Sequence, residues 1–170
     1  KGLKIIVTIE KVREMTIPRI SQLTKKTNQF NMTTRRYEEE YIRKMSSDKN
    51  FLIYSAQVED KFGNNGITGV VIIKKEIKKW EIDTLLLSCR VLGRRIEDVL
   101  LTYILDIAKK EKIRTLAGEF IATKKNIPAK DFYKKNGFFL VQKKNGIEDW
   151  EYDVSRKYTS PDFIKIVKKD

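Results

Sequence analysis

Residues 94–110 carry Ile96, Val99, Leu100, Tyr103, Ile104 and Ile107 at the three- and four-residue spacing of an amphipathic helix. A helix with one apolar face needs a sheet to bury it, and strand-like runs flank it at 80–89 and 115–121. Further β-branched and apolar runs occur at 3–12, 51–58, 67–73, 138–142 and 150–154. Gly63-Asn64-Asn65-Gly66 joins two of these runs with an Asn-Gly hairpin signal, a charged turn at 75–78 joins the next pair, and Asn145-Gly146 links the last two. An antiparallel meander follows.

The remaining helical signals are shorter. Thr16-Ile17-Pro18 opens a helix with Ile20 and Leu23 on one face. Tyr37, Tyr41 and Met45 recur every four residues, predicting a second helix from Thr34 to Ser46. Between them KTNQFN, residues 26–31, reads as a polar loop outside the core. Residues 129–136 form a short helix closed by Gly137, and the tail 155–170 is expected to end in a short helix after Pro161. The order of elements predicts an α+β fold: a mixed, mostly antiparallel sheet flanked by helices. With 170 residues and no repeat or linker, residues 1–170 make one domain. A strand beginning at the third residue, with no initiator Met, leads us to expect a piece cut from a longer protein.

Composition limits the chemistry. The chain has no His, which removes the usual general base, the Ser-His and Cys-His nucleophile systems and the commonest zinc ligand. One Cys excludes an internal disulfide and suggests a reducing, cytoplasmic setting. The apolar runs are too short to cross a membrane. The net charge of +13 is divided almost evenly between the two halves, without any basic run longer than two residues. That dispersal disfavours nucleic acid as a partner and leaves phosphorylated cofactors or an acidic carrier protein.

The most informative string is SCRVLGRR, Ser88 to Arg95, where a strand runs into the long helix. A glycine turn at a helix N-terminus cradles phosphate through free amides and the helix dipole, and Arg90, Arg94 and Arg95 add cationic donors. A plain strand-to-helix turn with solvated arginines is the competing reading. Downstream, Asn126 precedes Tyr133 by seven residues, and Gly137-Phe138 follows.

On these residues the sequence resembles the GNAT superfamily of acyl-CoA-dependent acyltransferases. Arg90, Val91, Leu92, Gly93, Arg94 and Arg95 match its Gln/Arg-x-x-Gly-x-Gly/Ala motif, except that Arg95 stands where a small residue is usual. Asn126, Tyr133, Gly137 and Phe138 match a later motif. More narrowly, QLTKKTNQFNMTTRRY (Gln22 to Tyr37) and IDTLLLSCRVLGR (Ile82 to Arg94) resemble the C-terminal region of FkbH-like proteins, which follows a HAD-type phosphatase-like domain and serves glyceryl loading onto an acyl carrier protein.

The resemblance implies CoA, acyl-CoA or carrier-bound phosphopantetheine as cofactor, and no metal. Amides from Leu92 to Arg95 would hold its phosphate, with Asn126 nearby, and the strand 80–89, with Leu87 and Cys89, would line the pantetheine arm. Tyr133 would protonate the leaving thiolate, a fitting task for a phenol; its packing alternative is an aromatic beside Phe132. Glu119 and Asp83 are candidate bases, and Cys89 a thiol beside the cradle, or else a small buried strand residue. Asn28, Gln29 and Asn31 would face the acyl acceptor, and Arg35 and Arg36 would hold an anionic group there. Two functions compete: an acyltransferase, and a catalytically silent module that docks an acidic carrier protein for a HAD-type neighbour.

Overall fold

The computed structural model describes residues 4–162 and 164–169. In chain order the elements are β1 (Ile5–Lys11), α1 (Ile17–Lys26), β2 (Phe30–Asn31), α2 (Glu39–Ser46), β3 (Phe51–Asp60), β4 (Gly63–Lys75), β5 (Lys79–Leu87), α3 (Ile96–Lys110), β6 (Thr115–Ile121), α4 (Phe132–Lys135), β7 (Phe139–Lys144), β8 (Ile147–Asp153) and β9 (Ile164–Lys169). The sheet runs β7-β8-β6-β5-β4-β3-β1-β9, with β2 laid on β5. Among the described residues only β1–β9 and β5–β6 are parallel pairs, so the sheet is mixed and mostly antiparallel. No helix among the described residues is long and apolar enough to cross a membrane.

Alternation along the strands splits the core in two. On one face Ile17, Ile20, Leu23, Ile42 and Met45 of α1 and α2 meet Ile53, Val70, Ile72 and Leu86. On the other, the stripe of α3 packs on Val71, Ile73, Ile82 and Leu87. The Asn145-Gly146 turn (φ 55° and 78°) and the left-handed Gly137 (φ 85°) stand where the sequence places them.

Four expectations change. The β3–β4 hairpin turns at Lys61-Phe62, because Asp60 pairs with Gly63 and the Asp60 side chain accepts the Phe62 amide at 2.8 Å. Asn64-Asn65-Gly66 lies inside β4, where the register shifts. α2 begins at Glu39, not Thr34: the Tyr37 amide donates to Thr24 Oγ1 (3.0 Å) and its carbonyl accepts from Ser21 Oγ (2.7 Å), which keeps residues 34–38 out of the helix and against α1. KTNQFN enters the core as β2. The tail adds β9 beside β1 instead of a helix, since Ile164 and Ile166 alternate with Lys165 in the period of a strand. Of the terminal segments read from sequence, Leu3, Phe163 and Asp170 lie outside the described residues.

β5 and β6 pair only from Lys79 opposite Thr115 to Ile82 opposite Gly118. Asp83 is then the extra residue of a bulge, because Ile73 faces Ile82 and Ile72 faces Thr84. From that point the two strands part.

Candidate active site

The space between the parting strands is filled by the chain itself. Phe30 pairs with Leu87 and Asn31 with Leu86. The Met32 amide donates to the Leu85 carbonyl (3.1 Å), and the Ile121 amide donates to the Met32 carbonyl (2.9 Å), so residues 30–32 tie β5 to β6. Phe30, Asn31 and Met32 are no more than 3% exposed. Phe30 meets Phe132 edge-on at 5.6 Å.

Two amides complete this insertion. Asn126 Nδ2 donates to the carbonyls of Asn31 (3.0 Å) and Ile121 (2.8 Å), while its Oδ1 accepts the Thr123 amide (2.8 Å). Asn31 Nδ2 donates to the Thr27 carbonyl (3.2 Å) and its Oδ1 accepts the Thr34 amide (2.9 Å). Asn31 and Asn126 are therefore internal fasteners, and Leu87 is fully buried in the core.

Tyr133 lies under β6 on the α3 side, 1% exposed, against Phe132 and Phe138. Its hydroxyl has no hydrogen-bond partner among the described residues. Burial pushes the phenol far above its ordinary value, and the charges of Glu119 and Glu81 push it further. A Cβ on Gly118 would stand 2.3 Å from Tyr133 Cζ, so this packing requires glycine. Gly118→Ala is expected to destabilise the fold by about 2–3 kcal/mol, read from urea unfolding.

Glu119, one residue on, points to the opposite face. There Arg35 bridges the parting strands: Nη2 donates to Glu119 Oε1 (2.5 Å) and Nη1 to the Asp83 carbonyl (3.0 Å). The Asp83 carboxylate accepts from the Tyr37 hydroxyl (2.7 Å) and Thr84 Oγ1 (2.8 Å), and burial together with that bond raises the Tyr37 phenol. Glu119 and Asp83 are thus occupied by donors, and Arg35 by acids. Glu81 differs. Its neighbour across the pair is Ala117, so it shares the face of Glu119, partly buried and without a hydrogen-bond or ion-pair partner among the described residues. Burial raises its carboxyl, and the carboxylates of Glu119 and Glu76 raise it further. The sequence offered the alternation that places Glu81 on this face but no sign of which acid would lack a partner.

The turn after β5 is a separate place. Residues 89–91 form a 3-10 turn, so Cys89 is exposed beyond the strand end and is not a buried strand residue. Gly93 (φ 82°) and Arg95 (φ 62°) are left-handed, and the amides of Gly93, Arg94, Arg95 and Ile96 have no acceptor among the described residues. Two of the three arginines are committed, Arg94 to the buried Asp60 carboxylate (2.7 Å) and Arg95 to Asp98 (2.8 Å). Arg94→Ala leaves that carboxylate without its cation, with the Phe62 amide as its remaining donor; a loss of about 1–3 kcal/mol in urea unfolding is expected, partly recovered by Arg94→Lys.

Two cavities flank the turn. Arg95, Glu97, Asp98, Phe132, Lys135 and Asn136 line one of about 370 Å³ at the start of α3. Cys89, Arg90, Asn28 and Gln29 share the other, about 450 Å³, with α1. Arg36 closes the end of α1 by donating to the carbonyls of Thr24 and Thr27 (both 2.6 Å) and to Asn28 Oδ1. The structure brings Cys89, Arg90, Asn28 and Gln29 together. Glu119 and Tyr133 stand elsewhere, on opposite faces of β6.

A family model described as an acetyltransferase (GNAT) domain matches residues 9–151. The chain belongs to this acetyltransferase family. Solved structures agree on the fold. The ribosomal-protein-S18-alanine N-acetyltransferase of Escherichia coli superposes with a TM-score of 0.67 at 14% identity, over 89% of this chain and 96% of that one. The PaiA N-acetyltransferase of Thermoplasma acidophilum, in complex with coenzyme A, gives 0.64 at 19% identity, over 86% and 98%. A point mutant of the SpeG spermidine N-acetyltransferase of Vibrio cholerae gives 0.66 at 17%, over 88% and 94%. No curated protein matches the sequence.

GNAT enzymes use acyl-CoA, and the residues of this GNAT domain fit such a donor at one end only. Unbonded amides at Gly93 to Ile96 suit a phosphate. Between β5 and β6, where a pantetheine arm was expected along 80–89, Phe30, Asn31 and Met32 already satisfy the strand edges. As folded, the domain does not fit an acyl-CoA laid between those strands.

Proposed function

We propose that this GNAT domain transfers a small acyl group to an amine, with Glu81 as the general base. An amine in neutral water is mostly an ammonium ion, and its nitrogen attacks only after losing a proton. Glu81 supports the reading because its oxygens are free of hydrogen bonds and ion pairs among the described residues, and its surroundings make it more basic than an ordinary Glu. The acceptor side is also acidic: Asp149 and Glu151 pair with Glu119 and Ala117 across β6 and β8, and so share this face. A cationic acceptor suits it within a chain of net charge +13.

The FkbH-like strings add a finer reading, in which the acyl group arrives on an acidic carrier protein and a HAD-type domain precedes this one in the same chain. A second reading, the silent docking module, is favoured by one observation: β2 occupies the space between β5 and β6. Incubating the domain with acetyl-CoA or acyl-carrier protein and an amine, and following acyl transfer by intact mass, separates the two. Turnover that falls in Glu81→Gln supports the acyltransferase; carrier binding without turnover supports the module.

A further inference from the structure

Among the described residues the sheet ends at β7 on one side and at β9 on the other, and the two edges are built differently. An edge strand leaves a row of backbone amides and carbonyls open to another chain, and lysines along it discourage such pairing. β9 carries Lys165, Lys168 and Lys169 in its six residues. β7 reads Phe139-Leu140-Val141-Gln142 before its first charge and contains no proline. Its bulge at Val141, where the register with β8 shifts, bends the strand without adding charge. All six residues of β7 are exposed, Phe139 by 55%, Leu140 by 45% and Val141 by 51%. Nine large apolar side chains are exposed among the described residues, and four of them, these three and Ile147 of β8, share this one hairpin. Apolar exposure concentrated in this way marks a surface that another chain covers.

The charges around β7 say which chain fits. Phe139 pairs with Glu151 of β8, Gln142 with Asp149 and Lys144 with Ile147, and residues paired across strands share a face. The strand therefore starts beside two carboxylates and ends in Lys143-Lys144. Asp149 and Lys144 have no hydrogen-bond or ion-pair partner among the described residues. A second copy laid parallel would set lysine against lysine. Laid antiparallel about a two-fold axis, it brings the lysine end of each strand to the carboxylate end of the other, and the uncharged run 139–142 of each copy meets its own like. We propose that two copies of this chain associate through β7, pairing antiparallel edge to edge so that their nine-stranded sheets become one. Such a contact closes at two copies, and the edges left outside are the lysine-bearing β9 strands. One short strand from each side makes a small interface, which suits a dimer in exchange with monomer at micromolar concentration.

Sedimentation velocity between about 5 and about 500 μM reads the association directly. The parent is expected to pass from monomer to dimer across this range, with no larger species. Leu140→Lys and Val141→Lys change exposed positions, and circular dichroism verifies that each variant is folded. Each raises the dissociation constant about tenfold or more, because the two-fold brings the new charges of both copies together. Phe62→Ser, at an exposed aromatic in the β3–β4 turn, leaves it unchanged, which separates edge pairing from unspecific apolar association. Amide exchange locates the contact: β7 amides exchange more slowly at the top of the concentration range than at the bottom, and β9 amides exchange alike at both. A parent that stays monomeric throughout, or that grows beyond the dimer, overturns the proposal. So do folded Leu140 and Val141 variants that dimerise like the parent, a Phe62 variant that loses the dimer, or β7 exchange that ignores concentration.

Discussion

Phe30→Ala is expected to lower the unfolding free energy by about 3–5 kcal/mol, the cost of deleting a fully packed aromatic side chain. Phe30 is 3% exposed and rests edge-on against Phe132, so the cavity left behind has rigid walls. The loss reaches further than packing, since Phe30 starts the segment whose hydrogen bonds join β5 to β6. Urea unfolding measures it directly. A Phe30→Ala, Phe132→Ala cycle should also show coupling of about 0.5–1.5 kcal/mol, as aromatic pairs do. A Phe30→Ala loss below about 1 kcal/mol would show that residues 30–32 sit on the sheet as a loosely held loop.

Glu81→Gln should reduce acyl transfer to an amine by about 100-fold or more, the usual contribution of a positioned base. The parent rate is expected to rise with pH through the Glu81 pKa, which burial, Glu119 and Glu76 set above the ordinary 4.5, because only the carboxylate accepts a proton. In the Gln variant that rising limb disappears. Folding keeps the two effects apart. A carboxyl whose pKa is raised in the folded state binds its proton more tightly there, so its ionisation subtracts stability as pH climbs from the unfolded value through the folded one. Removing the charge removes that subtraction, and Glu81→Gln should be no less stable than the parent at pH 7. A rate loss accompanied by intact stability is therefore the signature of a base; an unchanged rate and pH profile would assign the proton to another group.

Much of this fold was legible because its signals are local. The α3 stripe, the alternating runs, Asn145-Gly146 and Gly137 each carry their instruction within a few residues. Long-range bonds carry the rest. KTNQFN looked too polar for a core, yet Asn31 is buried because Thr27, Thr34 and Asn126 satisfy its side chain and carbonyl, and the last of these partners comes from far along the chain. Tyr37 fell out of the helix its spacing suggested because α1 offers the hydroxyls of Thr24 and Ser21 to its backbone. At the site, the turn around Gly93 was readable from its glycine and arginines. The partners of those arginines were not: Asp60 comes from a hairpin thirty-four residues away. Likewise Glu119 and Asp83 read as candidate bases until Arg35 and Tyr37 folded across them, and Glu81 was not singled out.

The strand that this chain inserts where β5 and β6 part is central to the site, and amide hydrogen exchange tests that insertion directly. The amides of Met32 and Ile121 donate across the two junctions, so they report on it residue by residue. If β2 is a fixed part of the core, both exchange as slowly as the middle of β5 and remain slow when acetyl-CoA is added at saturating concentration. Rapid exchange at Met32 and Ile121 on adding acetyl-CoA, with β4 and β5 still protected, would contradict this and show that β2 yields its place to the donor.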